Sequence, residues 1–110
     1  MKFISYNVHS WTGTDKINDY RRALDVINKE QPDAAALQEV VIPANADDLE
    51  EAHIFIKKHT DMTVIFGQTM LQSDSPYGNV LLTNKYPDKY VLHDISVNSY
   101  EPRGIIHAEL

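Results

Sequence analysis

The stretch "YNVHSWTGTDKINDYRRALDVINKEQPDAAALQEV", residues 6–40, decides how this chain is read. It begins at the end of a strand-like run over residues 2–8 and passes into the turn-rich "HSWTGTD" with Gly13. Ile17, Tyr20, Leu24 and Ile27 then recur at i, i+3, i+7 and i+10, one apolar stripe of a helix. Asp15 or Asn18 is placed to cap that helix, and Pro32 prevents its continuation. "AAALQEV", residues 34–40, follows as a second strand. A strand, a crossover helix and another strand in this order predict a right-handed unit with parallel strands. Both strands then end on one edge, where ligands of open α/β sheets bind. Asn7 and Glu39 sit at those two ends, each a polar residue in an otherwise apolar run.

"NADDLEEAHIFIKKH", residues 45–59, predicts a second helix. Asn45 caps it, acids at 47, 48, 50 and 51 fill its first turns, and Lys57, Lys58 and His59 close the last, as the helix dipole favours. Leu49, Ala52 and Ile56 face inward, with Phe55 at the border. Four strand-like runs follow at 62–68, 77–83, 89–95 and 104–110, separated by "SDSPYG", "NKYPD" and "NSYEPRG". They read as antiparallel hairpins or a meander. Val64-Ile65-Phe66, Val80-Leu81-Leu82 and Ile105-Ile106 are apolar at consecutive positions, which suits a sheet buried on both faces. Two helices cover one face, and the other needs a cover the sequence does not provide. The expected architecture is an α/β fold, a mixed sheet with two helices on one face, with residues 1–110 forming half of a larger structure.

Composition bounds the function. At 110 residues the chain is one domain or part of one, and 43% hydrophobic with 24% charged residues is a globular balance. The longest apolar run is far short of a membrane span. "MKFISYNVHSW" is broken by Ser5 and Asn7 and lacks a small-residue cleavage site, so it reads as a strand and not as a signal peptide. The absence of cysteine excludes disulfides and thiolate metal sites and agrees with a reducing, cytoplasmic setting. A net charge of −6, with only three arginines, is opposite in sign to a protein that grips nucleic acid by charge. Nucleic acid as substrate stays open, but weakened.

The strand-end Asn7 in "YNV", the "PD" after the helix and Glu39 in "LQE" together resemble the opening of the endonuclease/exonuclease/phosphatase superfamily. "YGNVLLTNKYP" resembles that family's Gly-x-x-Leu-Leu-Ser/Thr segment ending in Tyr-Pro or Phe-Pro, and "EPRGIIHAEL" its Arg-Gly strand leading into Ala-Glu-Leu. These motifs, in order over nearly the whole chain, make the resemblance specific. It implies half of a deoxyribonuclease I-like four-layer α/β sandwich, two sheets face to face with helices outside. It also implies a magnesium-dependent, or manganese-dependent, hydrolase of phosphoester bonds. The family's later Gly-Asp-x-Asn and Ser-Asp-His motifs do not occur in residues 1–110.

The chemistry asks for an activated water and for neutralisation of charge on phosphoryl oxygens, which a hard divalent ion held by one or two carboxylates supplies. The resemblance gives Glu39 the metal-ligand role, where the plain alternative is a solvated strand-end acid or a salt bridge. It gives Asn7 a share in positioning metal, ligand or phosphate, where the alternative is a local Asn turn. Arg103 is the candidate for a bidentate phosphate contact, balanced against pairing with Glu101. His9 and His107 read as structural histidines, Asp15 as a helix-entry residue, and Tyr77 and Asn79 as shaping the adjacent hairpin.

Two classes of function remain after this. One is the first part of a magnesium-dependent phosphoesterase, inactive as the isolated chain. The other is a non-catalytic half-fold module whose uncovered sheet face pairs with the missing half or, by twofold symmetry, with a second copy in a homodimer. A phosphate-ligand sensor has only Arg103 behind it.

Overall fold

A computed structural model describes residues 1–42, 54–98 and 100–110. Four strands form one mixed sheet in the order β1-β2-β4-β3, and two more form a separate hairpin. The sheet strands are β1 (Phe3–Asn7), β2 (Ala34–Val41), β3 (Thr63–Gln72) and β4 (Ser75–Thr83), and the hairpin strands are β5 (Lys89–Asp94) and β6 (Gly104–Glu109). Two α-helices are present among the described residues, α1 (Tyr20–Glu30) and α2 (Ile54–Thr60), besides a 3-10 turn at His9–Trp11. The expected Asn45 cap and the acidic first turns of the second helix lie outside the described residues.

β1 and β2 are parallel, with α1 as the crossover, as the opening stretch predicts. The helix begins later than expected. Asp19, not Asp15 or Asn18, is the cap: its side chain accepts the Arg21 N–H at 3.0 Å. Residues 12–18 are held instead in a small closed loop, where Thr12 bridges Asn18 and the Gly13 N–H donates to the Ile17 carbonyl at 3.1 Å. Ile17 is therefore left 56% exposed, outside the stripe it was expected to join. The C-terminal end is as predicted, with Gln31 in the left-handed region just before Pro32.

The core lies between the helices and one face of the sheet. Leu24 and Ile27 of α1, Ile56 of α2, Ala35 and Leu37 of β2, and Val80 and Leu82 of β4 are all buried there. Trp11 closes one end, with its indole N–H donating to the Val41 carbonyl at 2.8 Å and its ring edge-on to Tyr20 and Phe55.

The second face corrects one expectation, because the chain does provide part of its cover. The β5–β6 hairpin lies over β3 and β4: a Cβ on Gly67 would come within 2.9 Å of the Ile106 side chain, and Asn79 Nδ2 donates to the Gly104 carbonyl at 3.1 Å. The later strands are two hairpins and not a meander, since β4 pairs with β2 and β3 while β5 pairs with β6. β3 and β4 also run closer together than the sequence suggests. They are joined through Ser73 and Asp74, both at positive φ (49° and 68°), the backbone of a two-residue hairpin turn. Pro76 is tolerated near the start of β4, where β2 is ending. No helix among the described residues is long and apolar enough to cross a membrane.

Candidate functional site

Why Glu39 is not in the core follows from one extra residue. Ala35 and Leu37 point at the helices, and strict alternation would send residue 39 the same way. Between Leu37 and Val40, however, the pairing with β4 shifts: Leu37 faces Val80 but Val40 faces Gly78. Three steps along β2 thus match two along β4, which is a β-bulge. Glu39 sits in it at φ 56°, in the left-handed region. The inserted residue restores Val40 and Ile42 to the core, both fully buried, and releases the Glu39 carboxylate to the rim.

Gly78 makes this possible. It lies where the β2 bulge meets a second irregularity in β3, between Gln68 and Met70. A Cβ there would stand 2.1 Å from the Gly67 carbonyl oxygen, so no larger residue fits without moving backbone.

β1 delivers Asn7 to the same rim. Tyr6 lies beside Leu37 on the helix side, and Asn7 follows with the opposite parity, opposite Gln38. Its side-chain amide donates to Glu39 Oε2, and its carbonyl accepts the backbone N–H of His9 at 3.0 Å. That N–H is aimed by an unusual turn: His9, Ser10 and Trp11 all have positive φ (48°, 54° and 69°). The local Asn turn is thus present, and the amide it fixes is the one that donates to Glu39. His9 is also drawn in, with Nδ1 at 3.7 Å from Glu39 Oε2.

Asn7 and Glu39 open onto a cleft of about 610 Å³, whose other wall comes from the segment leading into β6. Arg103 is on that wall, 69% exposed, with Nη2 at 3.3 Å from Glu101 Oε2. Of the two readings of Arg103, the pairing with Glu101 is observed, on a side chain that also lines the cleft. Tyr77 forms the floor, where burial pushes its hydroxyl pKa up, with the charges of Glu39 and Glu101 and a hydrogen bond to Glu39 acting in the same direction. The phenol therefore stays protonated at neutral pH and serves as a donor to the carboxylate.

Sequence reasoning gave Tyr77 only a shaping role. Its position two residues into the "SPYGN" segment carries no signal that the ring turns toward Glu39. Glu101 and Thr69, which also line the cleft, had no signal beyond Glu101's proximity to Arg103. His107 is not brought to the site: it stacks on His93 across the hairpin at 6.0 Å between ring centroids. Asp15 is a loop residue that accepts the Ile17 N–H and pairs with Arg22, whose guanidinium holds the Asp15 carboxyl below its ordinary pKa. The Asp of "PD" lies at the opposite end of the sheet. Asp33 accepts the Lys2 N–H at 2.6 Å and the Asn84 amide at 2.9 Å, tying three strand ends together.

For a hard divalent ion the donor set is a half-exposed carboxylate, an amide and open solvent space. This fits magnesium, which keeps several waters and uses one or two protein carboxylates. Among the described residues no group of three or more acidic, His or Cys side chains converges as a closed cage.

No protein-family model and no curated protein sequence matches the chain. Solved structures do. An endonuclease/exonuclease/phosphatase from Beutenbergia cavernae DSM 12333 superposes with a TM-score of 0.75 at 18% identity, over 96% of this chain and 33% of its own. An endonuclease/exonuclease/phosphatase family protein from Leptotrichia buccalis C-1013-b superposes with a TM-score of 0.75 at 17% identity, over 98% of this chain and 47% of its own. At such identities the likeness is one of fold: this chain folds as endonuclease/exonuclease/phosphatase structures do, over a third to about half of their length.

Proposed function

We propose that the chain carries the metal-seating and phosphate-contacting part of a magnesium-dependent phosphoester hydrolase of the endonuclease/exonuclease/phosphatase superfamily. One observation supports this above the others: a bulge diverts Glu39 from the core to meet Asn7 at a rim that opens into a cleft with Arg103 across it. Glu39 would hold Mg²⁺ or Mn²⁺, with Asn7 and Tyr77 fixing the carboxylate's orientation. The bound ion would lower the pKa of a coordinated water and neutralise phosphoryl charge. Arg103 exchanges Glu101 for a phosphate oxygen when substrate enters, a bidentate contact its exposure permits.

The 110 residues contain neither Gly-Asp-x-Asn nor Ser-Asp-His, the motifs that the superfamily resemblance pairs with Glu39. Groups that act as a unit fail together when members are missing. The isolated chain is therefore expected to bind metal weakly and to show no turnover of bis(p-nitrophenyl) phosphate with Mg²⁺. Turnover that disappears in Glu39→Ala would overturn the expected inactivity. Calorimetric Mn²⁺ binding that survives unchanged in Glu39→Gln would overturn the ligand assignment.

A second reading, self-association through uncovered apolar surface, is favoured by Phe3, Val91 and Ile105, which are 62%, 49% and 48% exposed. Pairing of two copies sheet on sheet would bury them. Sedimentation equilibrium at micromolar concentration tests it, and a monomer throughout would set it aside.

A further inference from the structure

Leu92 and Ile106 of the β5–β6 hairpin turn toward the sheet at Gly67. By strand alternation Lys89, Val91 and His93 of β5 then turn outward, as do Ile105, His107 and Glu109 of β6. One end of this outer face is closed by charge, with Lys89 Nζ at 3.3 Å from Glu109 Oε2. At its centre Val91 lies opposite His107 and His93 opposite Ile105, which makes the two histidines diagonal neighbours. Their rings stack, with centroids 6.0 Å apart and planes 23° from parallel.

A cross-strand aromatic stack is by itself ordinary packing. These two rings differ from His9 and His59 in what their nitrogens meet. His59 Nε2 is held by Asp25 at 2.7 Å, and His9 Nδ1 lies 3.7 Å from Glu39 Oε2. Among the described residues the His93 and His107 rings meet only each other. Both side chains are exposed, and the terminal torsion of an imidazole is broad, so each ring is able to turn. A metal held at about 2.0–2.1 Å by each ring needs one nitrogen from each within about 4 Å of the other. Ring centres 6.0 Å apart reach that arrangement by rotation of the side chains alone. Two imidazoles suit a borderline transition metal such as Zn²⁺ or Cu²⁺, whereas a hard ion such as Mg²⁺ prefers oxygen.

We propose that His93 and His107 form a two-imidazole site for a divalent transition metal of the zinc and copper class, which clips β5 to β6. A lone hairpin is marginal in water and every residue of β5 is exposed, so a cross-strand clip acts where the fold is weakest. It also acts close to the cleft. His93 pairs with Ile105, just beyond Arg103, and the Ile95 N–H donates to the Arg103 carbonyl at 3.1 Å. A clipped hairpin therefore steadies the wall that carries Arg103. Neither histidine belongs to the phosphoester reading, and the two sites stand or fall separately.

The test is Zn²⁺ titration of the isotope-labelled full chain, read by NMR and calorimetry. Beside it are His93→Ala, His107→Ala and the double variant His93→Phe with His107→Phe. The double variant keeps an aromatic pair across the strands, so it separates loss of the ligands from loss of the hairpin. Zn²⁺ is expected to shift the signals of Val91, His93, Ile105 and His107 first. Cu²⁺ should bind more tightly than Zn²⁺, and excess Mg²⁺ should leave the shifts unchanged. Each Ala variant should weaken Zn²⁺ binding by about tenfold or more, and the double variant should abolish it. With Zn²⁺ at about ten times its Kd, amide exchange through local opening of β5 and β6 should slow about tenfold in wild type and not in the double variant.

Three results would overturn the assignment: wild-type affinity in either Ala variant, first shifts centred on His9, His59 or residues 47–53, or no binding below about millimolar Zn²⁺. Binding at the two histidines without slower exchange would remove the clip.

Discussion

The sheet with its helices and the β5–β6 hairpin form opposite walls of the same cleft but are held in place very differently. Below the cleft, Leu24, Ile27, Ile56 and Leu82 are completely buried, and Leu37 and Val80 nearly so. Above it, every residue of β5 is exposed, and the hairpin rests on the sheet through Ile106 and Leu92 near Gly67 and through the Asn79–Gly104 hydrogen bond. Burial of apolar area is the dominant favourable term in folding, so stability is concentrated in the wall that carries Asn7, Glu39 and Tyr77. The wall carrying Arg103 has few buried contacts and belongs to the low end of local stability. A firmly held wall beneath the cleft and a loosely held wall above it follow from that distribution.

The contrast can be broken most forcefully in the core. Leu82→Ala should cost about 2–5 kcal/mol in chemical denaturation, the range for a large buried aliphatic cut to Ala. Gly78→Ala comes next, with an expected loss of about 1–3 kcal/mol, because its new methyl meets the Gly67 backbone. The same variant should shift the Glu39 amide resonance, since Gly78 is where the bulge is seated.

Glu39→Gly should go the other way. It relieves a left-handed non-glycine backbone and is expected to raise stability by about 1 kcal/mol while removing the carboxylate. A stability loss there would mean that the side-chain contacts with Asn7 and Tyr77 outweigh the strain.

Asp33 gives a smaller, pH-dependent effect. The Lys2 backbone N–H is the main cause holding its carboxyl pKa below the ordinary value, followed by the Asn84 amide. A depressed folded-state pKa contributes stability that is present above the unfolded value, about 4, and lost as pH falls through the folded one. Wild type should therefore exceed Asp33→Asn at neutral pH, and the gap should close as pH falls below about 4. The mildest change is expected on the hairpin, where Ile105→Ala, at 48% exposure, should stay within about 0.5 kcal/mol.

The sequence makes α1 legible because Tyr20, Leu24 and Ile27 keep helical spacing, and the parallel strands legible because a crossover helix joins two short apolar runs. It also makes Asn7 and Glu39 stand out, since neither suits an apolar strand. What it conceals is the bulge. By alternation Glu39 belongs with Leu37 in the core, and no residue type announces an inserted position when the residue at positive φ is not glycine. The Asp19 cap was hidden for a related reason, because the backbone of residues 12–18 is committed to the Thr12–Asn18 loop. Long-range placement, such as Tyr77 beneath Glu39 or Arg103 across from Asn7, depends on the register of β4 and on where the second hairpin lands. Local pattern does not encode either.

The most direct measurement is paramagnetic line broadening by substoichiometric Mn²⁺ on the labelled chain. The account predicts that amide signals of Asn7, Val40 and Tyr77 broaden first, that Mg²⁺ reverses the effect, and that Glu39→Gln abolishes it. Broadening centred instead on the acidic residues 47–51, or unchanged by Glu39→Gln, would contradict the account.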